Sequence, residues 1–468
     1  MILSLLLACA TTPEPAPEPA VSPVPVPGPM PSWTAPTPQV RELPNGSTLW
    51  VLPDSDLPLI SLRIVFPGGA ATDPQESPGA AYMAGLLMEE GAGELDSLEM
   101  TRSFERLAAF ASIDVETQAV VASLDVASDR FDEAYGLMVD QLVRPRMQRE
   151  DYERIQYQQI VSLEEGREDG PQLAREVATQ LHFGESPYGR PVAGTPEGIR
   201  SLSYEATKDA YLRLIRPGGA TFVVTGDVDV DSLSERLTAP LEGWSGDLEA
   251  ALEIPATSGA PGLYVVSDPG ASQTAIRVMG TGPKAGHVDR LAASAAGVVI
   301  GGSFTSRLNY LLREQKGYTY GAWAQFNCER DFGVFSGASN VRSDATVAAL
   351  QDMIGVFESA GAGFDDEDVK KAHSQAFTDE VGEAATRSDL ADVFAERAGD
   401  GLRADGWAKE LELTMSSTAA DMQAMGQRFM SPEKLTVVLA GDLDTLLPAL
   451  DSADLAPFQG YTVVEPTP

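Results

Sequence analysis

The chain repeats itself once, at long range. Thr221-Phe222-Val223-Val224-Thr225-Gly226-Asp227-Val228-Asp229 returns as Thr436-Val437-Val438-Leu439-Ala440-Gly441-Asp442-Leu443-Asp444. Leu62 to Gly69, a strand-like run ending in glycines, returns as Ala275 to Gly282. Both separations are about 215 residues, too long for a solenoid repeat and of the length of a domain. The spacing predicts two homologous domains, 40–246 and 263–460. Between them lies a linker at 247–262, rich in Pro, Ala and Gly. A chain of 468 residues is in any case too long for one ordinary core.

Within the first copy, 48–52 and 59–66 alternate or run apolar between Asn45-Gly46 and Pro53-Asp54 turns, and so read as strands. Residues 78–90, 101–110, 130–142, 150–168 and 204–214 have helical spacing, whereas 119–126 and 221–224 have strand character. Strands and helices mix without strict βαβ alternation. The expected class is therefore α+β, each domain a mainly antiparallel sheet with helices packed on one face.

Lys and Arg total 33 against 69 Asp and Glu, a formal charge of −36. That excess repels phosphate backbones and argues against nucleic-acid binding. The two cysteines, Cys9 and Cys328, can supply neither a disulfide framework nor a thiolate cluster. Cys328 reads as a small buried hydrophobe. At the other end of the chain, Leu6-Leu7-Ala8-Cys9 has the form of the box at which bacterial lipoproteins are cleaved and lipidated. Residues 1–9 are thus expected to be a lipoprotein signal, cleaved before Cys9. The apolar run is short and has no basic flank, as a start placed too late would leave it. Residues 10–39 follow as a Pro-rich spacer, extended at ~3.1 Å per residue, which would hold a globular body off a membrane. No later stretch is expected to be long and apolar enough to span a bilayer. The expected location is the bacterial cell envelope, at the outer membrane and facing the periplasm.

In the second half, Gly301-Gly302-Ser303-Phe304-Thr305-Ser306-Arg307-Leu308 leads into Leu312-Arg313-Glu314-Gln315-Lys316-Gly317-Tyr318-Thr319-Tyr320. This resembles the C-terminal-domain signature of the insulinase/pitrilysin family of zinc peptidases, which includes the mitochondrial processing peptidases. Ser186-Pro187-Tyr188-Gly189, Arg216-Pro217-Gly218 and the duplicated layout extend the resemblance over about 40 to 460. The resemblance implies that Arg313 and Tyr320 face the substrate. A guanidinium holds a peptide carbonyl or carboxylate, and a phenol donates to an oxyanion. The plainer alternative is that Arg313 pairs with a nearby glutamate and Tyr320 merely packs. The glycines Gly301 and Gly302 are expected to serve a tight turn.

Active members of that family carry His-x-x-Glu-His on a helix of the first domain. The two histidines hold zinc, the glutamate activates its water, and a distal glutamate completes the ligands. Here the matching stretch is Pro78 to Met88, which sets Tyr82 for the first histidine, Gly85 for the base and Leu86 for the second histidine. The distal position falls near Leu163, beside Glu164 and Glu165. None of the replacements can take over the original chemistry. Leu86 has no lone pair, Gly85 no proton acceptor, and a neutral phenol is a poor zinc ligand. The three histidines of the chain, His182, His287 and His373, have no metal-binding spacing. His182 reads as structural, and the other two read as facing solvent.

The resemblance implies a non-catalytic subunit with no metal or cofactor of its own, zinc being carried by a homologous partner. Together the two would enclose an extended peptide added to a sheet edge, and Arg313 and Tyr320 would complete the partner's centre. A purely structural or peptide-binding scaffold is the alternative. A peptidase using some other site is disfavoured, since no further nucleophile or metal cluster stands out.

Overall fold

Two six-stranded sheets of the same strand order organise the chain. The computed structural model describes residues 28, 30–167, 169–246, 259 and 261–465. Cys9, the expected signal, most of the Pro-rich spacer and nearly all of the expected linker lie outside them. Of the N-terminal unit Met1–Trp33, the described residues form no helix or strand, and Thr34 onward is one compact unit.

The strands are β1 (Gln39–Glu42), β2 (Thr48–Pro53), β3 (Leu59–Pro67), the small pair β4 (Gly91–Ala92) and β5 (Leu95–Asp96), β6 (Phe110–Val115), β7 (Ala119–Ala127) and β8 (Thr221–Gly226). The second half supplies β9 (Gly262–Ser267), β10 (Gln273–Thr281), β11 (Thr319–Cys328), β12 (Gly333–Arg342), β13 (Thr436–Gly441) and β14 (Tyr461–Val463). One large sheet runs β6-β7-β3-β8-β2-β1 and the other β11-β12-β10-β13-β9-β14. In each, the two repeated segments pair antiparallel: Leu62 lies opposite Val224 in one, and Val278 opposite Val437 in the other. Each also holds one parallel internal pair, β2 with β8 and β9 with β13. The sequence repeat is thus a repeat of topology. Only the outer strands break it, β1 pairing antiparallel and β14 parallel.

Alternation along the strands decides which face meets helices. In β3, Ile60, Leu62, Ile64 and Phe66 are fully buried in one core with Phe131, Tyr135 and Met138 of helix α3 (Phe131–Val143), numbered after α1 (Ala80–Met88) and α2 (Ser97–Arg106). Each such side chain contributes about 1.5–3 kcal/mol of burial. The second face is covered from the opposite half, a feature that sequence patterning did not predict. Val65 and Ala119 pack on Ala395 of the helix Arg387–Gly399. Reciprocally, Leu173, Ala174, Val177 and Ala178 of α5 (Gly170–Phe183), which follows α4 (Arg149–Gly166), pack on Val266, Ala275, Val438 and Ala440 of the second sheet.

The halves are therefore clasped by exchanged helices. Arg63 on β3, 3% exposed, fastens one of them. Its Nε lies 2.5 Å from Asp392 and its Nη2 2.7 Å from the Ser388 hydroxyl and 3.1 Å from Asp125.

Several expectations need correction. The helical spacing at 101–110 belongs to α2 only as far as Arg106; Phe110 already opens β6. The run Asp289–Gln315 is long and apolar enough by length and composition to cross a membrane, contrary to the reading that no such stretch exists. Its apolar side chains, among them Val299, Ile300, Leu308 and Leu312, are buried in the second core, which explains their character without a bilayer. His373 does not face solvent freely: it is half-buried, with Nε2 3.1 Å from the Ser417 carbonyl.

Candidate functional site

Helix α1 carries the three positions that the family resemblance assigns to zinc chemistry. Its start is set by Gly79, whose φ of 88° is left-handed and suits glycine. The buried Asp73 carboxylate accepts from the Gly79 and Ala81 N–H groups and pairs with Arg213 at 2.9 Å. Burial pushes that carboxyl up to about 6, against the pull of those bonds.

Along α1 the sequence leaves no metal-binding face. Tyr82 and Leu86 lie one turn apart on its half-exposed side. Leu86 packs with Leu163 of α4 and with Met83, Leu87 and Ile155 in a small apolar cluster. At the position of the base, Gly85 is pressed against β6: a Cβ added there would lie 2.8 Å from Val115 Cγ2. Zinc would thus meet a phenol, a closed slot and two leucines, a set that does not fit it. Among the described residues, no group of three or more His, Cys, Asp or Glu is arranged to hold a metal. His182 is buried edge-on to Phe183 with centroids 4.9 Å apart, and burial pushes its imidazole down to about 4. Burial pushes the Cys328 thiol up to about 12, so it carries no thiolate at neutral pH.

Beside the altered motif opens a cleft of about 890 Å³. Leu86, Glu89 and Glu90 of α1 line it, with Met100, Phe104 and Glu105 of α2, Phe110 of β6, Gln141 of α3 and Ile155 and Gln159 of α4. All its lining residues come from the first half, so neither Arg313 nor Tyr320 reaches it.

Those two residues sit in the second half, on a segment whose geometry follows from its sequence. Ser306 caps the turn Arg307–Asn309 by accepting the Asn309 N–H. Arg307 ties it down through Ser359, the Gly363 carbonyl and Asp368, and Leu308 enters the core. Tyr310–Gln315 then continues as a π-turn, a form often found at functional sites. Arg313 lies on it with its guanidinium 4.6 Å from the Phe304 ring centroid and its Nε 3.3 Å from Glu314.

Tyr320 lies one residue past the start of the edge strand β11, at an irregularity. Register shifts between Thr319 and Ala322, and such bulges re-aim side chains. The Thr319 hydroxyl holds the bulge through the Gly321 N–H, and Asn309 accepts the Ala322 N–H at 3.0 Å. The result is a Tyr320 ring 91% exposed, beside the outward-facing Trp323. Tyr320 does not pack. Asn309, buried and bonded to both the Phe304 carbonyl and β11, was missed from sequence; an amide after Ser-Arg-Leu gives no local sign of reaching a strand thirteen residues on. Gly301 corrects another reading. It is not at a left-handed turn, but where a Cβ would meet the Ala324 backbone nitrogen at 2.2 Å, so close helix–strand approach explains it.

Residues 201–376 match the family described as peptidase M16 inactive domain. An uncharacterized zinc protease of Mycobacterium tuberculosis is 27% identical over 210 residues, 43% of this chain and 47% of that one. The chain thus spans about half the length of these mycobacterial relatives. One from Rickettsia felis is 21% identical over 306 residues, 64% of this chain and 72% of that one. Among solved structures, a peptidase M16 inactive domain from Pseudomonas fluorescens superposes with a TM-score of 0.81 at 21% identity, covering 86% of this chain and 98% of that one. A chain of complex III2 from Candida albicans superposes at 0.75 with 14% identity, over 87% and 97% of the two chains. Residues 201–376 thus match the peptidase M16 inactive-domain family, and the duplicated sheets have the fold of the solved M16 inactive domain, while Tyr82 and Leu86 stand where the resemblance sets the two zinc histidines and Gly85 where it sets the base.

Proposed function

We propose that the chain is a non-catalytic subunit that pairs with a zinc-bearing homologue and presents Arg313 and Tyr320 to a peptide held between them. One observation carries the reading: the base position Gly85 on α1 is closed by Val115, while Tyr320 in the second half stays open to solvent beside a half-exposed Arg313. A zinc ligand can be lost by one substitution. A glycine pressed under Val115 and a leucine packed on Leu163 are a repacked surface, which removes the demand for metal altogether. A phenol 91% exposed on an edge strand gains little from packing, which supports a role for it in a contact with another molecule. The Candida complex III2 chain, of the same fold, belongs to a multi-subunit assembly, which supports pairing as a use for this architecture. Lipidation at Cys9 would place the pair at the cell envelope.

Reconstitution tests this. With a His-x-x-Glu-His homologue as partner, peptide cleavage should rise well above that of the partner alone. Arg313→Ala and Tyr320→Phe should each reduce turnover by about tenfold or more, the usual scale for one lost oxyanion donor or substrate clamp. Unchanged turnover in both variants would overturn the shared-site reading and leave the scaffold alternative.

A further inference from the structure

The cleft beside the altered motif has polar groups that the fold itself does not use. Gln141 is only 7% exposed, lines the cleft, and makes no side-chain hydrogen bond with another group among the described residues. Its amide opens toward the cleft, where a bound molecule can meet it. Gln159, also buried, donates its amide to the Ala193 carbonyl at 3.1 Å, which leaves its carbonyl oxygen to accept. Three carboxylates, Glu89, Glu90 and Glu105, line the same space, and among the described residues no Lys, Arg or His does. Glu90 is answered by Arg154 from outside the lining. Glu89 accepts the Ile113 N–H at 3.0 Å, and no described cation pairs with it. Leu86, Met100, Phe104, Ile155 and the outward Phe110 supply apolar walls.

We propose that this cleft is a binding site for a small organic cation with an aromatic or alkyl body, its nitrogen held by Glu89 and Gln159 and its polar linkage by Gln141. The volume suits a small ligand, the walls take the apolar body, and the two carboxylates with no ion-pair partner among the described residues, Glu89 and Glu105, favour a positive group. The site needs neither a partner subunit nor zinc, so it goes beyond the paired-subunit reading and stands or falls separately. The same chemistry could come from a free amine or from a basic residue in a short peptide.

Calorimetric titration of the isolated chain with 4-phenylbutylamine tests the site, with 4-phenylbutan-1-ol as neutral counterpart and N-acetyl-phenylalanyl-lysine amide as the peptide source. The amine should bind saturably with one-to-one stoichiometry, and the alcohol about tenfold more weakly or worse. Glu89→Gln should weaken the amine by a similar factor and leave the alcohol unchanged; Gln141→Leu should spare both, which have no polar linkage, and weaken the amide-bearing peptide. Glu105→Gln, at an exposed position, keeps the test valid if the buried variants fail to fold, and should weaken the amine by about twofold to threefold. The peptide competing with the amine assigns the site to peptides, and failure to compete assigns it to free amines. Equal affinity for amine and alcohol, or amine affinity insensitive to both glutamate changes, would overturn the proposal.

Discussion

Rewriting the altered motif as Tyr82→His, Gly85→Glu and Leu86→His should restore neither zinc nor activity, and the reason can be put in numbers. A side chain at position 85 must displace Val115, whose Cγ2 lies 2.8 Å from where its Cβ would stand. Overpacking of that kind costs about 1–3 kcal/mol, offset by roughly 0.5 kcal/mol of helix propensity gained over glycine. Taking Leu86 out of its half-buried contact with Leu163 costs about another 1 kcal/mol. The triple variant should therefore lose about 1.5–3.5 kcal/mol of unfolding free energy, measured by urea denaturation with circular dichroism. Val115→Ala makes the assay specific. Combined with Gly85→Glu it should show a favourable coupling of about 1 kcal/mol in a double-mutant cycle, because the smaller residue vacates the space the new carboxylate needs. Elemental analysis should still find no stoichiometric zinc in the triple variant, since Leu163 offers no third ligand. If Gly85→Glu is fully tolerated and uncoupled from Val115, or the triple variant binds one zinc tightly, the closed-slot reasoning is wrong.

Arg63→Met should loosen the clasp between the halves. It leaves Asp125 and Asp392 unanswered, but both reach solvent in part, so the cost should be about 2–3 kcal/mol rather than the full buried-pair penalty. Faster limited proteolysis within Arg387–Gly399 would check it, with Arg63→Lys intermediate. Asp400 gives a pH prediction. Burial and the neighbouring Glu329 and Glu396 charges push its carboxyl up to about 7, so the folded state holds a proton between about pH 4 and 7 that the unfolded chain has released. Stability should therefore fall as pH rises through that window. Asp400→Asn should remove about 1–2 kcal/mol of that fall in urea titrations at pH 5 and pH 8, after allowing for partial solvent reach.

The duplication was legible because similar strand-end motifs, each closing on Gly-Asp at Gly226-Asp227 and Gly441-Asp442, recur at one spacing, and both sheets place them at the same antiparallel pairing. Apolar alternation marked β3 and β7 for the same reason. What stayed hidden was long-range. Arg63 reads as a lone charge inside an apolar strand, and only the exchanged helix with Asp392 and Ser388 explains it. Apolar residues such as Leu173 and Val177 on α5 give no hint that their sheet belongs to the other half. At the site, Arg313 and Tyr320 could be read only through a motif, because exposure is a property of the bulge at Thr319–Ala322 and not of local composition. Gly85 could be seen to lack a carboxylate, but not that Val115 fills the space.

The proposed subunit role requires that α1 not support hydrolysis. The most direct measurement pairs elemental analysis with peptide-cleavage assays on the isolated chain, purified without chelators and supplied with zinc. The account predicts less than stoichiometric metal and no turnover; one tightly held zinc per chain together with intrinsic cleavage would contradict it.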